Sequence, residues 1–166
     1  MDPNPIGFQK HDHSHCVADA VAEADRTCQK AGLQLTPVRK RALEILLEEH
    51  RALGAYDVLA RLAEDGFGSQ PPVAYRALDF LTKNGFAHKI ERLNAFIACA
   101  HPGDIHTPAF LICTTCDAVA EAETDPSHSL LNQIADTTGF RISRAVLEAE
   151  GTCPNCLAND QAKDPK

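Results

Sequence analysis

The chain has 166 residues, 44% of them hydrophobic, and a formal net charge of -7, enough apolar material for one domain core or two small ones. No run of about 18 apolar residues occurs, and the polar start MDPNPIGFQKHDHSHC lacks a signal-peptide segment, so a cytoplasmic protein with no membrane partner is expected. The acid excess does not exclude nucleic acid: residues 17–92 carry eleven Lys and Arg against eleven Asp and Glu, whereas residues 93–166 carry four against ten. A locally neutral domain with cations gathered on one face can still grip phosphates.

Residues 1–16 read as a His-rich flexible tail, in which His11, His13, His15 and Cys16 are either solvated or extra metal ligands. A first helix follows, with Val17, Val21, Ala24, Cys28 and Ala31 on one stripe and Gly32 as its stop. "LTPVRKRALEILLEE" offers Thr36 as N-cap, Pro37 at the first helical position and Val38, Ala42, Ile45 and Leu46 as the buried face. "AYDVLARLAEDG" makes a third helix, with Val58, Leu59, Leu62 and Ala63 inward and Gly66 at its end. The fourth, "PPVAYRALDFLTKNG", places Ala74, Ala77, Leu78 and Leu81 on one face and Arg76, Asp79 and Lys83 on the other. "FAHKIE" and "AFIAC", joined by "RLN", then read as a β-hairpin.

Helices followed by a hairpin predict a winged helix over residues 17–99, whose last helix enters the major groove. A charged outer face is by itself ordinary for a surface helix. The order of elements and the recurrence of Arg39, Lys40, Arg41, Arg76, Lys83, Lys89 and Arg92 favour the DNA reading. Arg76 is the candidate base-reading side chain, because a guanidinium matches guanine O6 and N7; Asp79 either accepts from cytosine or pairs with Arg76.

Residues 100–107, rich in Gly, Pro and His, read as a hinge. Over residues 108–158 a strand "AFLIC", a strand "AVAEAE", a helix with Leu130, Leu131 and Ile134 inward, and a strand "FRISRAVLEA" predict a small α/β layer that buries an edge by self-association. Residues 159–166 read as a flexible tail. The expected fold class is therefore α+β, an N-terminal winged-helix DNA-binding domain followed by a small α/β dimerisation domain.

Seven cysteines in a reducing compartment point to metal before disulfide. Cys113, Cys116, Cys153 and Cys156 form two CxxC pairs, and four thiolates make a closed tetrahedral shell that suits structural zinc. A redox pair would open a helix after a strand, and neither pair is expected to do so. Near the hinge, His88, Cys99, His106 and Glu121 offer a second set drawn from both halves, with His101 as a competing ligand. Taken singly, each also fits an ordinary surface or core role.

The order "LTPVRKRALEIL", "AYDVLARL", "PPVAYRALDFLTKNGFAHKIE", "FIACAH", "HTPAFLICTTCDAVAE" and "GTCPNC" resembles the ferric uptake regulator superfamily and, within it, the zinc uptake regulator branch. The resemblance runs from near Cys16 to Cys156. It implies a dimeric, zinc-responsive repressor holding about two zinc ions per monomer. On that likeness Cys113, Cys116, Cys153 and Cys156 match a structural zinc site, and His88, Cys99, His106 and Glu121 match a regulatory one. Tyr56 and Arg76 match residues that contact operator bases, with Tyr75, Lys83 and Arg39 as further DNA-binding candidates. The family's iron, manganese and peroxide sensors carry an HHDH-like cluster where this chain has "HPGDIHTP", and the Cys99 thiolate favours zinc by softness.

The expected function is zinc-dependent closure of a dimer onto operator DNA, controlling zinc uptake genes. The rival readings are a redox or other-metal sensor of the same superfamily and a zinc-binding interaction module or metal chaperone without DNA binding. An enzyme is not expected, since HExxH is absent and four protein ligands fill each metal site.

Overall fold

The computed structural model describes residues 13–49, 51–100, 102, 107–122 and 130–162. The chain divides into two compact units, with the boundary between Gly103 and Asp104.

The first unit holds α1 (His13–Lys30), α2 (Pro37–Leu47), α3 (Ala55–Glu64), α4 (Pro71–Lys83), β1 (Ala87–Ile90) and β2 (Ala95–Ala98). Helix α1 starts at His13, so its first turn takes in residues assigned above to the tail. Val21, Ala24 and Cys28 are buried along it, whereas Ala31 lies past its end and is exposed. Gly32 then adopts φ +68, a left-handed turn that a residue with a Cβ disfavours. In α2, Thr36 takes the extended N-cap conformation before Pro37 but makes no side-chain cap bond, and Ala42, Leu43, Ile45 and Leu46 are buried. Helix α3 is tied at its start by the Gly54 N–H, which donates to the Asp57 carboxylate at 3.0 Å. It buries Val58, Leu59 and Leu62, while Ala63 is half-buried.

All four residues expected on the inner face of α4, Ala74, Ala77, Leu78 and Leu81, are buried. Leu78 and Leu81 are among the largest fully enclosed side chains, and truncating either to Ala costs about 2–5 kcal/mol. Strands β1 and β2 pair antiparallel from Ala87↔Ala98 to Ile90↔Ala95, and Asn94 at φ 46 lets the chain reverse between them. Leu53 and Phe96 exchange backbone hydrogen bonds of 2.8 Å, which fixes the wing against the segment that enters α3.

The second unit holds β3 (Ala109–Cys113), β4 (Val119–Ala122), α5 (Leu130–Thr138), β5 (Leu147–Gly151) and α6 (Pro154–Ala162). The sheet order is β4-β3-β5, with β4 antiparallel and β5 parallel to the central strand. Ala109, Phe110, Ile112, Cys113, Val119 and Ala120 are its buried members.

Three expectations are corrected. The last strand is only Leu147–Gly151, because residues 140–146 take no regular structure despite their alternation. Leu130, Leu131 and Ile134 were expected inward on α5, yet they are 69%, 41% and 52% exposed, and Ala135 is the helix's buried residue. A three-stranded layer with two short helices has too little surface of its own to cover that apolar face. Finally, α6 occupies residues assigned to the end of the second domain and to the tail.

Candidate functional site

Strand β3 ends on Cys113, where the Cys113 N–H donates to the Ala118 carbonyl at 2.9 Å and the Asp117 N–H donates back to the Cys113 carbonyl at 3.1 Å. Asp117 at φ 58 closes this knuckle and turns Cys116 toward Cys113. The parallel partner β5 brings Gly151 beside Cys113, and the Thr114 N–H donates to the Gly151 carbonyl at 2.8 Å. Two residues on, the Cys153 N–H donates to Cys113 Sγ at 3.3 Å. Pro154 then starts α6, so Cys156 falls in its first turn.

The four sulfurs converge. Cys113 Sγ lies 3.9 Å from Cys156 Sγ, and Cys116 Sγ lies 3.7 Å from Cys153 Sγ; all four lie within 4.8 Å of one another. A tetrahedral zinc ion with bonds of about 2.3 Å requires sulfur–sulfur edges of about 3.8 Å, so this donor set fits zinc. Desolvation pushes the Cys113 thiol up, but N–H groups of Cys153, Thr115 and Cys116 directed at its sulfur outweigh burial and hold it at about 6. Cys116 is raised: hydrogen bonding from Ala118 lowers it, while burial and the neighbouring thiols oppose that effect and prevail. Cys156 is pushed up to about 12 by the Cys153 and Cys116 thiols. Crowded thiols cannot all ionise unaided, and a divalent ion supplies the missing charge.

The expectation that neither CxxC pair opens a helix fails for the second, which leads into α6. The low amphipathicity of PNCLANDQA hid it. The convergence of four sulfurs, rather than two, still favours metal over a dithiol couple.

Of the second predicted ligand set, His88 lies on β1 opposite Ile97 and is half-buried. Cys99 follows β2, is 6% exposed, and donates its N–H to the Phe86 carbonyl at 3.0 Å. The hairpin brings ligand atoms of His88 and Cys99 within 4.8 Å of one another. Glu121 lies on β4 opposite Phe110 in the second unit. His106, His101 and His11 lie outside the described residues, as do the side chains of His13, His15 and Cys16.

Among the DNA-binding candidates, Tyr56 on α3 and Tyr75 on α4 are 67% and 49% exposed. Their rings meet edge to face, with centroids 6.5 Å apart and planes at 90°. Arg76 beside them is exposed. The suggested Arg76–Asp79 pair is absent: Asp79 instead takes Lys83 at 2.8 Å. Arg39 is half-buried, its guanidinium 3.8 Å above the Phe80 ring and Nη1 donating to the Gln34 carbonyl at 2.6 Å.

A network that the sequence reading missed neutralises further cations. Arg41 pairs with Asp65 and with Glu48, each at 2.6 Å, and Arg61 meets Glu48 and Glu49. The three- and seven-residue spacings from Arg41 to Glu44 and Glu48 were visible in the sequence; the partners on and after α3 are tertiary.

A model of the ferric uptake regulator family matches residues 30–150. The zinc uptake regulation protein of Escherichia coli (strain K12) is 35% identical over 150 residues, covering 89% of this chain and 87% of that protein. The ferric uptake regulation protein of Neisseria meningitidis is 30% identical over 133 residues, covering 77% of this chain and 89% of that protein. A solved structure of a zinc uptake regulator complexed with zinc and DNA superposes with a TM-score of 0.83 at 34% identity, covering 87% of this chain and 97% of that one.

Proposed function

The chain belongs to the ferric uptake regulator family, and from that premise we propose that it is a zinc-responsive transcriptional repressor, not an enzyme, that binds operator DNA as a homodimer. The observation that carries this reading is its likeness, over 87% of its length, to a zinc uptake regulator complexed with zinc and DNA. Two local features support it: the four-cysteine cage of zinc dimensions, and the exposed pair of Tyr56 on α3 and Tyr75, next to Arg76, on α4.

Residues 17–99 read DNA, with α4 in the major groove and Arg76 aimed at a guanine edge. Residues 108–158 dimerise, and the open apolar face of α5 and the outer edge of β5 are the surfaces a second copy covers. The cage of Cys113, Cys116, Cys153 and Cys156 holds a structural zinc that supplies folding free energy. A second ion, taken by His88, Cys99, His106 and Glu121, is the signal. A thiolate, two imidazoles and a carboxylate suit zinc. About two ions per monomer follow.

The regulatory ligands come from both sides of residues 100–107, so zinc favours the conformer that matches two half-sites. By linkage, operator DNA tightens zinc binding by the same factor. The genes repressed are those of zinc uptake.

The test selects operator duplexes from a random pool in zinc, then measures metal content and affinity while a chelator empties only the weaker site. Two ions falling to one, with loss of DNA binding, is expected; binding indifferent to the chelator removes zinc as the signal. Arg76→Ala with unchanged affinity at fixed salt removes the base-reading role.

A further inference from the structure

Tyr56 and Tyr75 are the chain's two tyrosines, and it contains no tryptophan. They come from different helices yet meet edge to face at 6.5 Å and 90°, while both rings remain largely open at 67% and 49% exposure. A large exposed side chain is ordinarily free to change rotamer and loses that freedom when a partner fixes it. The aromatic contact removes part of that freedom in advance. Elsewhere in the first unit several cations are engaged: Lys83 with Asp79, Arg39 over Phe80, and Arg41 and Arg61 with carboxylates.

We propose that Tyr56 and Tyr75 act as one coupled aromatic reader, in which Tyr75 is a positioning residue that holds the more exposed Tyr56 ring ready for a base edge. This deepens the proposed function and rests on it. Edge-to-face packing uses the ring rather than the hydroxyl, so Tyr75→Phe preserves the device and Tyr75→Ala breaks it.

Two experiments test the pair on the full-length zinc-loaded protein. In Tyr75→Phe and Tyr75→Ala, the remaining tyrosine emission comes from Tyr56 alone, so its anisotropy in the DNA-free protein reports how firmly that ring is held. A lower anisotropy in Tyr75→Ala than in Tyr75→Phe is expected, with circular dichroism showing the same folded helices in both; equal anisotropies overturn the positioning role. The second experiment is a double-mutant cycle of Tyr56→Ala and Tyr75→Ala on the selected operator, repeated with single-base substitutions. A coupling of roughly twofold to tenfold, with both variants relaxing preference at the same base pair, supports the proposal. Additive losses at different base pairs overturn it. If Arg76→Ala and both tyrosine variants all leave operator affinity unchanged, the DNA-reading function itself fails, an outcome separate from additivity.

Discussion

Replacing Ile134 with Asp tests whether the open face of α5 is a dimer interface. Leu130, Leu131 and Ile134 on α5, with Phe140 just beyond its end, are 69%, 41%, 52% and 68% exposed. Covering their open surface is equivalent to burying roughly two whole side chains, on the order of 3–6 kcal/mol per protomer. A twofold interface uses the same patch on both copies, so this contribution counts twice. Ile134→Asp forfeits half of one such side chain and places a carboxylate in an apolar contact, costing at least about 2 kcal/mol per copy. The two copies together weaken self-association by about a thousandfold. Sedimentation equilibrium over a dilution series reads this directly. Circular dichroism and the tightly held zinc stay unchanged, because Ile134 is already open in the single chain. Operator binding falls in parallel. An intact fold that self-associates as tightly as the parent would refute the assignment of α5 to the interface.

Zinc uptake by the four-cysteine cage must displace protons from Cys116 and Cys156, which are raised above their ordinary value and neutral near physiological pH. With at least two protons released, affinity measured by chelator competition is expected to fall about a hundredfold per pH unit lost, and more steeply below about 6, where Cys113 also protonates; a pH-independent affinity contradicts this. Arg39→Ala is expected to lower stability by about 1–2 kcal/mol through loss of the Phe80 stack and the Gln34 bond. It should leave the salt dependence of operator binding unchanged, and a slope reduced by about one unit would instead mark a phosphate contact. Cys99→Ser is expected to remove one of about two zinc ions and abolish zinc-dependent operator binding while the cage stays loaded, as metal analysis would read.

Where one face of a helix packs within its own unit, the sequence was sufficient: Ala74, Ala77, Leu78 and Leu81 are all buried as their spacing requires. The same logic misread α5, since periodicity reports that an apolar face needs covering without saying which chain covers it. The metal cage was legible from spacing because CxxC fixes two ligands locally, but its second half depends on β5 lying parallel to β3, a pairing no local pattern encodes. Arg39 shows the limit for charge. Its recurrence among the cations favoured DNA, while its packing on Phe80 is decided by how α2 and α4 meet, which no local pattern shows. Helix α6 escaped because its nine residues carry little apolar periodicity, and the signal in hand was Pro154 at the first helical position.

The parallel pairing of β3 with β5 joins residues separated by the whole of β4 and α5; Cys116 and Cys153 alone are 37 positions apart. Bringing such distant strands together costs chain entropy before any contact compensates. Under the proposed zinc assignment, an ion first captured by Cys113 and Cys116 would act as a tether for Cys153 and Cys156, so that metal would speed the search as well as secure its outcome. A chain synthesised when zinc is scarce lacks that tether. Under the same assignment its central strand would wait longer with one side unpaired, the condition that favours aggregation and proteolysis. On the proposed function, zinc supply would then govern how many competent repressors form, on a slower clock than the one that governs whether each is bound to DNA.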